Sequence, residues 1–189
     1  SSDWIVVLCS SDLSQGMGWG SPIMRIPARS RAMTAMTAAT LDRMTGGKFH
    51  LGVGVSGPQV SEVWHGVRFN DPLGRTREYV EIIRAAFARK NVVHDGKHYT
   101  IPLTKEKGGS GLGKPLKLIN HPVRSRIPIS VAAIGPKNVE LVAEVAGGWQ
   151  PIFFHPGKAQ QAWGESLEAG SAKRDPAMGP RALHLQVPC

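Results

Sequence analysis

The sequence has few cysteines and no long run of apolar residues. Its 189 residues include two cysteines, Cys9 and Cys189, at opposite ends of the chain. Neither a Cys-x-x-Cys redox pair nor a metal-ligand cluster can be drawn with them. The apolar run at 4–8 is too short for the core of a signal sequence or for a bilayer span. We therefore expect a cytoplasmic protein without a metal or a membrane partner.

Acidic residues are scarce relative to basic ones. There are 14 Asp and Glu against 23 Lys and Arg, so the formal net charge is +9. Such a charge attracts anionic partners, from nucleic acids to a phosphorylated cofactor. The two local basic clusters, at 25–31 and 114–126, contain no aromatic side chain, whereas single-stranded nucleic acids are usually bound with aromatic stacking. We expect no nucleic-acid partner, and a basic nucleic-acid-binding domain stays open as an alternative.

The chain does contain a repeated order of short apolar run, Gly or Pro turn, and helical periodicity. This order is typical of parallel βα units. A complete eight-stranded barrel needs about 250 residues, and only four or five parallel strands can be assigned. The sequence therefore predicts an α/β fold of the (β/α)8 TIM-barrel type, with elements missing at both ends. The predicted strands are 48–55, 127–133, 149–154 and a last one beginning at 183.

Two helices are predicted outside these units, and a third lies within the second unit. The helix over 31–44 is expected to pack through one face that carries Met33, Met36, Thr37, Thr40, Leu41 and Met44. The helix over about 74–89 points Tyr79 and Phe87 inward. In the second unit, Pro136 begins a helix and the Gly147-Gly148 pair follows its end, which is the usual asymmetry of helix termini.

An insertion is predicted at about 90–126, between the first and second units. Residues 92–101 alternate around an Asp95-Gly96 turn, as in a β-hairpin. The glycine-rich stretch 105–113 is expected to be a surface loop. Residues 1–14 fit no strand-helix order and are left unassigned, so the predicted domain is 15–189.

Five blocks of sequence, in order between residues 29 and 156, resemble the luciferase-like monooxygenase superfamily, in particular its coenzyme F420-dependent oxidoreductases. Typical blocks are Gly-Gly-Lys-Phe-His-Leu-Gly-Val-Gly-Val-Ser-Gly-Pro-Gln-Val at 46–60, Arg-Thr-Arg-Glu-Tyr at 75–79 and Ala-Ala-Ile-Gly-Pro-Lys-Asn at 132–138. Any one block is weak, but five in order are a strong joint signal. The other two blocks are 29–42 and 111–118.

The resemblance implies a barrel that holds a deazaflavin, coenzyme F420, or alternatively FMN, at the carboxyl ends of its strands. It implies a small-molecule substrate and a possible homodimer. It also implies a strand bulge with a non-prolyl cis peptide behind the ring, between Pro22 and Ile23. Independently, a Gly-Pro turn at the start of a helix offers unpaired N–H groups to a phosphate. The residues expected to contact the cofactor are Ser21, Pro22, Ile23, Val60, Ser61, Ala133, Gly135 and Pro136.

The sequence assigns no catalytic residue. Glu62 and His65 are three apart on a predicted helix and could transfer protons, although a surface pair is the more common role of such residues. His155 is expected at the start of a helix near the active rim. The function expected from the resemblance is hydride transfer with coenzyme F420. The alternatives are an FMN-dependent monooxygenase and a truncated, non-catalytic domain that binds phosphate groups or nucleic acid.

Overall fold

The structure, a computed structural model, describes residues 18–185. The predictions made for 1–14, for the two cysteines and for the end of the last strand lie outside these residues. Within the described range, every helix is too short or too polar to cross a membrane.

Eight strands and four α-helices make up the described chain. The strands are β1 (Trp19–Gly20), β2 (Met24–Arg25), β3 (Phe49–Gly54), β4 (His94–Asp95), β5 (Thr100–Ile101), β6 (Ile129–Ala132), β7 (Gly148–Gln150) and β8 (Ala182–Leu183). The helices are α1 (Arg31–Met44), α2 (Pro72–Phe87), α3 (Pro136–Val145) and α4 (Pro156–Ala172). Short helical turns lie at Ile26–Ala28, Gln59–Trp64, Lys105–Lys107 and Pro176–Met178.

The main sheet is parallel, and its strands lie in the order in which the chain forms them. Strands β1 and β2 both pair with β3, which is followed by β6, β7 and β8. In a doubly wound sheet the strand order reverses at a switch point, whereas in a barrel each strand lies beside the next. The five strand positions therefore form part of a (β/α)8 barrel, as the sequence predicted.

The hydrophobic core lies between the helices and one face of this sheet. Phe49, Leu51 and Val53 of β3 are fully buried there, and α2 and α3 supply much of the opposing surface. The inward positions predicted for α2 are confirmed, since Tyr79 and Phe87 are each 1% exposed. Helix α2 is capped by the Asp71 carboxylate, which accepts a hydrogen bond from the Gly74 N–H at 3.2 Å.

Helix α1 has the predicted bounds but packs through a different face. Met33, Met36 and Met44, expected to face the sheet, are exposed, while Leu41 is buried as expected. The contact is made mostly by smaller residues: Thr34, Ala35, Ala38, Ala39 and Asp42. Small side chains let the helix axis approach the sheet closely, so the longer methionine side chains cannot occupy this side.

A buried ion pair joins α1 to the segment that leads into β6. The Asp42 side chain is fully buried, and it accepts hydrogen bonds from the Arg124 backbone N–H at 3.0 Å and from Arg124 Nε at 2.9 Å. The same guanidinium also donates to the Phe49 carbonyl. A fully desolvated carboxylate must be paired in this way. This pair fixes the end of the insertion against the sheet.

The opposite face of the sheet is concave and has almost no bulky side chain. Neighbouring strands are in register, so His50, Gly52 and Gly54 of β3 lie on this face beside Ser130 and Ala132 of β6, and Gly148 and Gln150 of β7 follow. The inside of a barrel is normally filled by branched side chains. The small residues leave space here for polar groups and for close backbone approach.

Candidate active site

The first component of the site is a one-residue bulge at the strand that precedes α1. Trp19 and Gly20 of β1 are in register with Phe49 and His50, whereas Met24 of β2 is in register with Val53. Three residues, 21–23, therefore lie opposite two residues of β3, which is the definition of a β-bulge. The bulge expected in this strand is confirmed.

Ser21 and Gly52 fix the bulge against β3. The Ser21 hydroxyl accepts a hydrogen bond from the Gly52 N–H at 2.8 Å and donates to the Gly52 carbonyl at 3.4 Å. A Cβ on residue 52 would lie 2.2 Å from the Pro22 carbonyl oxygen and 2.6 Å from that of Ser21. Glycine is thus required at position 52, because two backbone carbonyls occupy the space of a side chain.

The cis peptide expected between Pro22 and Ile23 is absent. Among residues 18–185, the only cis peptide bond joins Ile101 to Pro102. The expectation of a cis bond was therefore wrong, while the expected position of the bulge was right. The extra residue and the Ser21 hydrogen bonds shape the strand here without a cis peptide.

The second component is the loop that follows β3. Residues Gln59–Trp64 form a single π-helical turn, in which the His65 N–H donates to the Val60 carbonyl at 3.2 Å. Such turns are frequent at functional sites. Ser61 is 2% exposed, and its hydroxyl has no hydrogen-bond partner among the described residues. Val60 lies beside it, half-buried. A buried, unpaired hydroxyl is costly unless a ligand or water satisfies it.

The third component is the turn between β6 and α3, which two tryptophans hold in place. The Trp149 indole N–H donates to the Ala133 carbonyl at 3.0 Å, and the Trp163 indole N–H donates to the Ile134 carbonyl at 2.9 Å. The two rings pack edge to face at 5.2 Å, and Phe154 stacks on Trp163. The backbone that leads into Gly135 is therefore fixed by aromatic packing from β7 and α4.

At the start of α3, Gly135 is the N-cap residue and no side chain caps the helix. Nothing lies within 4 Å of the position where a Cβ on residue 135 would be, and Gly135 and Pro136 are both exposed. The side-chain amide oxygen of Asn138 is buried and has no hydrogen-bond partner within residues 18–185. Unpaired backbone N–H groups, an open approach and the helix dipole together favour an anion at this position.

Large apolar side chains are exposed at the carboxyl ends of four neighbouring strands. Phe153 after β7 is 92% exposed and has a positive φ of 55°. A set of apolar groups that surround a few polar ones is typical of small-molecule sites. The other members of this apolar rim are Ile23, Val63, Trp64, Ile134 and Ile152.

Several histidines have partners that the sequence did not indicate. Glu62 and His65 form no hydrogen bond or ion pair in the described part of the chain; the Glu62 carboxylate instead accepts the Phe69 N–H at 2.9 Å. His94 pairs with Glu78 at 3.1 Å. His155 is the N-cap residue of α4, as expected. On the concave face, His184 is hydrogen-bonded to the Ser130 hydroxyl at 2.8 Å. Burial lowers the pKa of His50, and the neighbouring His184 lowers it further.

The hairpin of β4 and β5 is attached to the start of α2 by carboxylates. Asp71 accepts hydrogen bonds from Lys97 at 2.8 Å and His98 at 2.9 Å. These partners and the Gly74 N–H lower the pKa of Asp71 to about 2, with Lys97 the largest contributor. Glu78 accepts hydrogen bonds from the backbone N–H groups of His98 and Tyr99.

Across residues 18–185, no group of His, Cys, Asp and Glu side chains is arranged to hold a metal ion.

The predicted contact residues thus lie at three consecutive strand ends. Ser21, Pro22 and Ile23 form the bulge beside β3, while Val60 and Ser61 follow β3. Ala133, Gly135 and Pro136 follow β6, the next strand of the sheet. The fold places these residues side by side along one edge of the sheet. Their contact with a cofactor stays a prediction.

Comparison with known proteins identifies the family. The family model described as luciferase-like monooxygenase matches residues 12–189. A Mycobacterium tuberculosis protein assigned to the coenzyme F420-dependent oxidoreductases is 49% identical over 161 residues, which are 85% of this chain and 46% of that protein. The chain spans about half the length of the curated relatives it matches.

Two solved structures have the same fold. An F420-dependent secondary alcohol dehydrogenase, in complex with an F420–acetone adduct, aligns over 92% of this chain and 50% of its own, with a TM-score of 0.72 and 20% identity. The oxygenating constituent of 3,6-diketocamphane monooxygenase from Pseudomonas putida, in complex with FMN, aligns over 94% and 50%, with a TM-score of 0.67 and 17% identity. With a family model that covers nearly the whole sequence and a half-barrel shared with these enzymes, the chain belongs to the luciferase-like monooxygenase family.

Proposed function

We propose that this chain is the cofactor-binding part of an F420-dependent oxidoreductase that transfers hydride to or from a small-molecule substrate in the cytoplasm. The observation that carries the proposal is the alignment of three prepared contacts along consecutive strand ends. These are the bulge at 21–23, the unpaired hydroxyl of Ser61, and the open turn at Gly135. The deazaflavin, when bound, would accept or supply the hydride.

Each contact has a separate task in this proposal. The bulge presents backbone carbonyls and the exposed Ile23 side chain, which together form a firm surface for one face of a planar ring. Ser61 donates its hydroxyl proton to an acceptor oxygen of the ligand. The Gly135 turn receives the phosphate, because no side chain blocks the backbone N–H groups at the start of α3.

The apolar rim supports the same assignment. Phe153, Trp64 and Ile134 project at the strand ends that flank the three contacts. On ligand binding, these side chains would cover the ring and exclude water from the reacting carbon, which favours hydride transfer. The chain's own acid or base is not assigned, since Glu62 and His65 are not arranged as a pair.

An FMN-dependent monooxygenase is the second candidate, and the FMN-bound structural relative favours it. Both cofactors carry a tricyclic ring, a polyol and a phosphate, so the same three contacts would serve either. The high identity to a protein assigned as F420-dependent makes F420 the first choice. We also expect a homodimer and no nucleic-acid binding.

The test is a fluorescence titration of the purified chain with F420 and, separately, with FMN, at low and moderate salt. Saturable F420 binding that persists at moderate salt supports the proposal. A folded, monodisperse chain that binds neither cofactor would contradict it and favour a non-catalytic domain. Light scattering on the same sample tests the homodimer, and a nucleic-acid titration across salt tests the remaining alternative.

A further inference from the structure

A second cleft lies beside the three contacts, on the side of the strand that leads to α1. It has a volume of about 340 Å³ and is built from four separate segments of the chain. Ile26 and Val55 continue directly from β2 and β3, so the cleft opens at the same edge of the sheet as the proposed cofactor site. Ile26 follows Ile23 by three residues, roughly 10 Å along an extended strand.

The cleft is strongly basic. Four arginines, Arg29, Arg31, Arg68 and Arg75, are among the residues that line it, and none of its lining residues is acidic. Clusters of arginine with no carboxylate are unfavourable unless an anion or solvent compensates the charge. Arginine also suits carboxylates and phosphates, since its planar guanidinium donates two parallel hydrogen bonds.

Two of these arginines are already oriented. The Arg31 guanidinium lies 4.2 Å above the centre of the Tyr99 ring, and its buried Nε has no hydrogen-bond partner in the part of the chain that the structure describes. Arg75 donates to the backbone carbonyl of Asn70 at 3.0 Å and to its side-chain oxygen at 2.9 Å. Such supports lower the entropy lost when the arginines bind a ligand.

The buried hydroxyl of Ser61 also lines this cleft. Ser61 is 2% exposed and its hydroxyl has no hydrogen-bond partner among residues 18–185, although its backbone N–H donates to the Gly57 carbonyl at 3.0 Å. Because the proposed function assigns this hydroxyl to the cofactor, Ser61 shows that the cleft adjoins the cofactor contacts. Helices α1 and α2 both have their N-termini at the cleft wall, where Ser30 is the N-cap residue of α1 and Pro72 is the first residue of α2, so the positive ends of two helix dipoles add to the same field.

We propose that this arginine cleft binds an anionic group, a carboxylate or a phosphate, of the substrate. The inference rests on the proposed function, because it defines the substrate class of that site: a molecule whose reacting carbon lies against the face of the ring turned away from the bulge, and whose anionic end reaches this cleft, roughly 10 Å along the strand from Ile23. The cofactor contacts at Gly135 do not account for the four arginines, three of which, Arg29, Arg31 and Arg75, lie within the blocks of resemblance at 29–42 and 75–79.

The experiment measures binding of inorganic phosphate and of glutarate by calorimetry, at constant ionic strength. Constant ionic strength matters because the net charge of +9 attracts anions without a specific site. We expect saturable binding that is about tenfold weaker in Arg31→Gln and about threefold weaker in Arg68→Gln. Arg68 is exposed, so its replacement is safe for folding even if Arg31→Gln is unstable.

The matched control is Arg43→Gln, which removes the same charge from the exposed far end of α1, about 18 Å along the helix from Arg31. Its affinity for both anions should stay within twofold of the unmodified chain. Absence of saturable binding, or an equal loss in Arg43→Gln, would overturn the site.

A parallel titration with F420 and with its phosphate-free deazaflavin core shows whether the cleft binds an anionic group of the substrate or of the cofactor. Unchanged F420 affinity in Arg31→Gln supports a substrate group. A tenfold loss for F420 but not for the core would overturn the substrate assignment, because the anion would then belong to the cofactor. Phosphate binding in a chain that binds no F420 would uphold the anion site and contradict the proposed function.

Discussion

The two faces of the parallel sheet differ more than any other two regions of the molecule. On the helix side, Phe49, Leu51 and Val53 of β3 are fully buried and are surrounded by apolar side chains. On the concave side, the alternate residues of the same strand are a histidine and two glycines. One strand thus serves stability with one face and ligand approach with the other, because successive side chains point to opposite faces.

The strongest test of this comparison replaces neighbouring residues on the two faces. Phe49→Ala should lower the free energy of unfolding by about 4 kcal/mol, because it leaves a large cavity in the core. His50→Ala, one residue further on, should cost less than about 1 kcal/mol. Urea denaturation of the two variants measures both values. Similar losses would show that the concave face is also part of the core.

Gly52→Ala tests the exception on the concave face. Its Cβ would collide with the carbonyl oxygens of Ser21 and Pro22, so we expect a loss of about 2 to 3 kcal/mol together with displacement of the bulge. Gly20→Ala is the matched control on the same face, since its Cβ would be 3.6 Å from the nearest atom. A thermal melt that ranks the two variants equally would contradict the tight contact at position 52.

Gly135→Ala separates binding from stability. The backbone has a φ of −70° and open space around it, so unfolding should change by less than about 1 kcal/mol. F420 affinity should fall about tenfold if the phosphate approaches this backbone, while the phosphate-free deazaflavin core should bind as before. Fluorescence titration measures both ligands. An unchanged F420 affinity would remove the turn from the cofactor site.

The smallest effect concerns pH. The pKa of His50 is lowered below 6.5 by burial, then by His184 and Arg124, with Asp42 opposing them. The unfolded chain therefore binds a proton more readily, so stability is fully present above pH 6.5 and is lost as pH falls through the lowered pKa. We expect the melting temperature to fall between pH 7.5 and pH 5, a range that roughly spans the ordinary histidine pKa, and to fall less steeply in His50→Gln. An equal slope in that variant would assign the dependence to other groups.

The sequence predicted the elements whose pattern is local. Helix α1 matches its predicted bounds, and α3 begins at Pro136 as expected, because capping and periodicity are properties of neighbouring residues. The packed face of α1 was wrong, since apolar character alone pointed to the methionines while close approach to the sheet required alanines. Which side chains fit depends on the partner surface, which the helix's own sequence does not contain.

Long-range pairings were also missed. Asp42 and Arg124 are 82 residues apart, and His94 and Glu78 are 16 apart, so no local spacing indicates either pair. The arginine cleft was missed for the same reason, because its four arginines come from segments that meet only after folding. The family resemblance supplied the bulge and the turn at Gly135; its blocks at 29–42 and 75–79 contain three of the arginines, but the order of the blocks does not show that these side chains meet.

The bulge also shifts the alternation of side chains between the two faces of its strand. Trp19 and Met24 are an odd number of residues apart, so in a regular strand they would point to opposite sides, yet both pack against the core. The extra residue restores the alternation after the interruption, and it keeps the charged Arg25 out of the core. A regular strand of the same length, without the bulge, would therefore exchange inside and outside for everything that follows position 23.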